Sequence, residues 1–401
     1  PTVKASEASE SGEVHVPFSF SLLPGLSTSG LRTGNVVNNI SIGLVATHAK
    51  RVEGVALALG ANWVDERLSG AQLAVGANVS KGPVSGGQFA VGGNVSGGDL
   101  FGMQYAVGAN VVRGMMEGAQ FGVGGNLVAG AVRGVQAGVG VNVATSGLLG
   151  AQLAVGANIA AGPSRGLQAT SGINIAGELT GAQLSSGISY ARHLSGAQLS
   201  LLNVVGAVEG AQVGLINVAG TVKGAQLGLL NFAGHTEGEA VGLLSFVGNG
   251  QHHVQVWASD VSLTNVGLKL GGRHLYTLLT AGYTPARAGE RYRYTLGAGF
   301  GGHIPVGRFF VDIDVLGSNL HSGSLFGEAS QHILGQLRLM GGVQLARRFA
   351  LFAGVSANTL VTWDSSDRWD DVGLGPQWRE FADGGTTTVR TWPGLLAGIQ
   401  L

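Results

Sequence analysis

No cysteine occurs among the 401 residues, which excludes disulfides, thiol nucleophiles and cysteine-ligated metals. Charge is scarce too. Only 11% of residues are Asp, Glu, Lys or Arg, and they cancel to zero, so no basic surface points to nucleic acid. No run of about 18 apolar residues is present, so no membrane-crossing helix is encoded. That test is blind to membrane β-strands, whose alternation gives a weak hydropathy signal. Proline is rare and the 71 glycines follow no Gly-X-Y period, which removes collagen. A hydrophobic content of 45% is too high for a disordered chain.

What the sequence does have is a short period. Gly-x-Gln, followed five or six residues later by Asn, recurs from Gln72 through Gln88, Gln104, Gln120, Gln136, Gln152 and Gln168 to Gln226. Asn78, Asn94, Asn110, Asn126, Asn142, Asn158 and Asn174 follow the first seven. The spacing is 16 residues up to Gln168, then 15 up to Gln198, then 14 up to Gln226. Worn units flank the run, as at the ends of an array. Ala56 stands where the first Gln is expected, and Ala240 and Ser245 stand where the last Gln and Asn are expected.

Within a unit the residues alternate, with Leu73, Val75, Ala77 and Val79 on one face and Gln72, Ala74, Gly76 and Asn78 on the other. Period two means β-strand, and glycine at this density opposes helix. A β-solenoid and a barrel meander both accommodate such units. Gln212 and Asn217 are five apart, not six, which on one continuous strand would turn Asn217 to the apolar face. A corner between them absorbs the change. A further apolar position four residues before most of the Gln residues, as at Val84, Leu100, Met116 and Val132, suits the inward side of a returning segment. The expectation is therefore a solenoid, with one large continuous barrel as the alternative. In the solenoid, Gln and Asn form structural ladders between coils and glycine supplies positive-φ corners.

After residue 250 the repeat stops and aromatics, Arg and Asp rise. Alternating strands are expected over 261–271, 274–283, 291–304, 308–316, 332–345, 349–363 and 388–401, with 251–259 as an eighth. Phe309, Val311, Ile313 and Val315 share one face, and Asp312 and Asp314 the other. Gln336, Arg338 and Gln344 likewise oppose Leu337 and Leu339. Charges inside apolar strands suit a small membrane barrel with Asp312, Asp314, Gln336, Arg338 and Gln344 inside. Tyr276, Tyr283, Tyr292, Tyr294, Trp363 and Trp392 fall near strand ends, where interfacial aromatics belong. Short turns alternate with long loops, the longest being 364–387.

The opening VPFSFSLLPGLSTSGLRTGNVVNNISIGLV, the GAQLGLLN units and the junction GLLSFVGNGQHHVQVWASDVSLTNVGLKLGGRHLYTLLTAG form a recognisable set. They are similar to poorly characterised surface-repeat proteins of Gram-negative bacteria, which are predicted outer-membrane proteins. The resemblance covers 16–283 best. It implies export to the outer membrane and supplies no substrate or catalytic residue.

Chemistry-bearing clusters are few. Asp364, Asp367, Asp370 and Asp371, with Trp369 and Trp378, mark a candidate surface loop; its oxygens lack the glycine and bidentate Glu of a known Ca²⁺ loop. His252 and His253 follow the Asn249-Gly250 turn signal and are expected as turn residues. No serine sits in a Gly-x-Ser-x-Gly elbow.

The sequence thus predicts an all-β chain in three parts. These are a flexible leader over 1–15, tandem β repeats over 16–250 and an eight-stranded antiparallel membrane barrel over 251–401. The start at Pro1 fits a mature exported form without its signal peptide. The expected role is an outer-membrane-anchored structural or surface-interaction protein, without catalysis, metal or cofactor. Its expected partners are outer-membrane lipid and a protein or second copy through the repeats, not nucleic acid. A pore built from repeats and C-terminal strands together is the alternative, and a barrel hydrolase using His303, His321 or His332 a more distant one.

Overall fold

The computed structural model describes residues 12–286, 292–323, 332–363, 369, 372–373, 376–382 and 387–401. It is an all-β protein, combining a parallel β-solenoid of about 13 turns with an antiparallel sheet. Two compact units are distinguished, Pro1–Val208 and Glu209–Leu401.

In the first unit each repeat is one coil. Val84–Ala90 and Gly93–Ser96 form one such coil. They stack in parallel on Leu100–Ala106 and Ala109–Val112 of the next, with Gln88 opposite Gln104 and Asn94 opposite Asn110. A meander would pair neighbours antiparallel, so the repeats are coils and not successive barrel staves. Each coil turns at the glycine two residues before Gln. Gly86 has φ 128° and Gly102 φ 141°. A Cβ on Gly102 would lie 2.0 Å from the carbonyl oxygen of Gly86, so both conformation and close approach demand glycine here.

The core of this unit is an apolar pillar along the coil axis. Leu68, Val84, Leu100, Met116, Val132 and Leu148 follow one another down it, with Val64, Val112 and Val128 alongside. The first six of these are the residues four positions before Gln72, Gln88, Gln104, Gln120, Gln136 and Gln152. The first strand, Val14–Leu23, begins inside the stretch expected as a leader and pairs in parallel with Val36–Gly43. Glu13 is held there by Lys50 Nζ at 2.8 Å and Arg51 Nη2 at 2.7 Å, which explains why order starts before residue 16. Residues 1–11 lie outside the described residues.

The second unit contains the last coils and the antiparallel sheet. Gln212 and Asn217 are both fully buried, so the lost residue is absorbed at the bend between them. Glu239–Val247 stacks in parallel on the preceding coil, with Ala240 opposite Gln226 and Ser245 opposite Asn231. Eight antiparallel strands follow: Gln251–Ser259, Thr264–Gly271, Leu275–Thr284, Arg293–Val306, Phe309–Ser322, His332–Ala346, Phe349–Thr362 and Thr387–Gln400. The first also pairs with the last, Val256 opposite Ile399 and Ser259 opposite Leu396. An additional strand, Trp378–Ala382, pairs with Thr387–Gln400 and lies within the expected long loop.

His252 and His253 are strand residues, not turn residues. His252 Nε2 accepts the Val247 amide at 3.2 Å, tying the last coil to the sheet.

Candidate functional site

Three features could carry function: the amide ladders, the buried face of the antiparallel sheet and the apolar outer faces.

In the first unit the Gln side chains donate toward the N-terminus. Gln88 Nε2 bonds Gln72 Oε1 at 2.8 Å, and Gln104, Gln120, Gln136, Gln152 and Gln168 each repeat this onto the coil before. The Asn side chains donate the other way. Asn78 Nδ2 bonds Asn94 Oδ1 at 2.9 Å, and Asn94, Asn110, Asn126, Asn142 and Asn158 continue to Asn174. Each Asn also donates to a backbone carbonyl of the following coil, as Asn78 does to Phe89 at 2.8 Å. All these amides are essentially sealed from solvent. They offer a ligand nothing, because they are sealed and, Gln72 Nε2 apart, their donors are spent on one another and on backbone carbonyls. In the next coil Ser189 replaces Asn, and Ser200 Oγ bonds it at 2.5 Å.

The buried face of the antiparallel sheet sets a cluster of charges among apolar side chains such as Phe310, Met340 and Phe352. Lys269 Nζ lies 2.6 Å from Asp312 Oδ2, and His303 Nδ1 lies 2.7 Å from Asp312 Oδ1. Asp314 accepts hydrogen bonds from both Tyr276 and Arg338. The Lys269 ammonium sits 4.0 Å from the centre of the Tyr276 ring and links the two clusters. Two cations face two anions, and Lys269, Asp312, Asp314 and Arg338 are each at most 1% exposed. Gln336 Nε2 donates to Asn358 Oδ1 at 2.7 Å, completing a run of paired polar groups.

Gln344, expected on this face, sits only half-buried beside the 347–348 turn. Its Nε2 bonds the Ala346 carbonyl, because the pairing shifts register between those residues. Tyr276 and Trp392, expected as interfacial aromatics, are instead 3% and 1% exposed. Burying a ring with a polar tip requires a partner, and Asp314 and Asp260 supply them.

Asp364, Asp367, Asp370 and Asp371 lie outside the described residues. Trp369 is buried with Leu320, Leu334, Leu360 and Trp392, and its carbonyl accepts from Arg390. Trp378 is on a strand and 61% exposed. His303 is engaged with Asp312, and His332 Nδ1 lies 3.2 Å from Thr362 Oγ1. Among the described residues no three of His, Asp and Glu gather as metal ligands.

The outer face of the sheet is apolar. Phe309, Val315, Leu337, Val355 and Leu395 are each more than half exposed, next to the buried charges in the same strands. In the first unit the coils also carry apolar residues outward, and an open groove of about 610 Å³ runs across the early ones. Its walls are Leu57, Leu73, Phe89 and Tyr105 on one side and Leu59, Val75 and Val91 on the other; Ala58, Ala74 and Ala90 form its floor.

Sequence reasoning missed Glu239. Its carboxylate accepts the Leu275 amide at 3.0 Å and the His274 amide at 3.1 Å, and lies 2.9 Å from His274 Nδ1. A Cβ on Gly272 would fall 2.2 Å from Glu239 Oε2, so the Gly271-Gly272 turn is shaped around this carboxylate. The signal in the sequence was an acid directly before Ala240, the position where the last coil loses its Gln. No family model, curated protein or solved structure matches this chain.

Proposed function

We propose that the C-terminal strands close into an eight-stranded β-barrel that anchors the chain in a bacterial outer membrane. The coils then serve as a non-catalytic scaffold at the membrane. One observation carries the reading: burial is inverted relative to a water-soluble sheet. Charged Lys269, Asp312, Asp314 and Arg338 are inside, and Phe309, Val315, Leu337 and Val355 are outside. Water would favour the opposite arrangement, while a hydrocarbon solvent favours this one.

Pairing of Gln251–Ser259 with Thr387–Gln400 supports closure, because it leaves neither strand as an open edge. The longer strands have 14 or 15 residues. At about 3.3 Å per residue and a tilt near 45°, they span roughly 30 Å, the thickness of a bilayer core. Exposed Tyr283, Tyr292, Trp363 and Trp378 all belong to the end that carries the long connections. Such a ring matches the aromatic girdle of a membrane barrel. Eight strands leave no lumen, and the paired charges fill what remains, so the reading is an anchor and not a channel. In such barrels the short turns face the periplasm, which places the chain's entry at Gln251 on that side.

Heat-modifiable migration on a detergent gel after membrane extraction tests the anchor. The folded band should run ahead of the boiled one. Recovery of native protein from a detergent-free soluble fraction would overturn the reading.

A further inference from the structure

The coils show the same inversion as the sheet, but along one edge only. From each Gln to the residue after the following Asn (or the Ser in its place), not one of the eleven stretches contains a charged residue. Every charge of the repeats, such as Arg113, Glu117, Arg133 and Lys223, falls on the segment between those stretches. The inside is segregated in the complementary sense. Amides of Gln and Asn are buried behind the uncharged edge, and the Val84-to-Leu148 pillar is buried behind the charged one. The ladders account for the amides inside, but water gives no reason to place Val75, Val91, Val107 and Val123, all about half exposed, outside. Soluble surfaces also break apolar area with charge, and here no coil does so.

We infer that this uncharged edge is a lipid-contact surface, seated among the acyl chains of a bilayer leaflet. The inference rests on the anchor reading for its membrane, but its support is independent of the sheet. The groove over the first coils has two apolar ridges and an alanine floor, and it follows the coil axis. At about 4.8 Å between coils, its four coils offer roughly 15 Å of channel, a length suited to an extended acyl segment. The position one residue after Gln varies from Ala137 to Tyr105 without ever gaining charge. Fluid chains tolerate uneven bulk, whereas a protein partner needs matched shapes and a polar rim.

The second unit adds a separate observation. Its last coil packs against the outward face of the sheet, where Thr277 donates to the Gly242 carbonyl. Leu270 and Thr277, both outward-pointing, are 5% and 3% exposed there. One step further along the same strand, Leu268 is 39% exposed, and on the coil Leu243 is 49% exposed. The apolar surface of a coil therefore continues into the face proposed to meet lipid.

The absence of native cysteine permits single-cysteine spin labelling of the full chain, reconstituted in phosphatidylethanolamine–phosphatidylglycerol vesicles. Labels at Val75→Cys, Val107→Cys and Val139→Cys report the uncharged edge, Arg113→Cys and Arg133→Cys the charged edge, and Val355→Cys the sheet. The uncharged edge should be severalfold more accessible to oxygen than to a water-soluble nickel chelate, and the charged edge the reverse. Chelate access at the uncharged edge, with Val355→Cys lipid-exposed, would overturn the inference and leave the anchor standing. Shielding from both agents with disulfides forming between chains would also overturn it, because a second copy would then cover the edge. Lipid exposure at the edge with chelate access at Val355→Cys would uphold the inference and overturn the anchor.

Discussion

Gln72 accepts the side-chain amide of Gln88 at 2.8 Å while its own Nε2 is buried with no partner. The preceding coil carries Ala56, so the donor chain ends in an orphan. Gln226 shows the matching defect in the second unit, where its Oε1 is unpartnered and Ala240 stands opposite. The ladder is thus polar along its length, and its members are not equivalent.

Replacing Gln104 with Leu should leave the oxygen of Gln88 and the amide of Gln120 unpaired. Two orphaned buried groups cost on the order of 2–6 kcal/mol. Gln72→Leu removes an existing orphan as it creates one, and Gln88 Nε2 keeps its bond to the Val95 carbonyl. It should be near neutral. Hydrogen exchange of the coil amides reads the difference. Equal losses at both positions would show that the ladder adds nothing beyond packing.

Gly102→Ala should be among the most damaging single changes in the repeats. It forces a Cβ into a backbone at φ 141° and to within 2.0 Å of a carbonyl oxygen. Strain of this kind costs about 1–3 kcal/mol before the clash is counted. Urea unfolding of this variant beside Gly30→Ala, where a Cβ would meet nothing within 4 Å, separates clash from conformation.

Acid should loosen the first coils before the rest. Burial raises the Asp65 carboxyl, but Lys81, His48 and Trp63 together outweigh it and hold the group below its usual range. Hydrogen bonds from Lys50 and then Arg51 do the same for Glu13. A folded-state value below the unfolded one gives stability that is complete at neutral pH and lost as pH falls below about 4. Exchange of the Val14–Leu23 and Ala61–Ala74 amides should therefore accelerate on acidification. Asp65→Asn should flatten that dependence in the second segment; an unchanged acid profile would count against this assignment.

Within the sheet, Lys269→Met should leave Asp312 buried with only His303 as a partner. Breaking such a pair typically costs about 3–5 kcal/mol, and removing both charges restores most of it. The temperature at which the gel shift is lost should drop for Lys269→Met and recover in Lys269→Met with Asp312→Asn. Failure of the double variant to recover would mean that Asp312 is held chiefly by His303.

Much of this architecture was legible in the chain. Period-two alternation, the shortened Gln212–Asn217 spacing and the apolar residues at Val84 and Leu100 point to coils, since only a cornered path turns all of them inward. Boundaries of seven of the eight C-terminal strands were readable to within a few residues from alternation and turn chemistry, whereas the strand expected over 308–316 continues to Ser322 through residues that read as loop. Tyr276 and Trp392 were misjudged because aromatic position along a strand does not say which face the ring takes. Glu239 escaped notice because its partners, the His274 and Leu275 amides, are 35 and 36 residues away.

The sequence by itself determined the coil period, the all-β class and the segregation of charge to one half of every repeat. These are local properties, written in residues a few positions apart. Only the tertiary structure decided which face is inside. Alternation reads the same whether Gln72 or Leu73 is buried, and parallel stacking breaks that symmetry by pairing each amide with its copy in the adjacent coil. The pairing of the first sheet strand with the last is likewise a relation between residues 255 and 400 that no local pattern encodes.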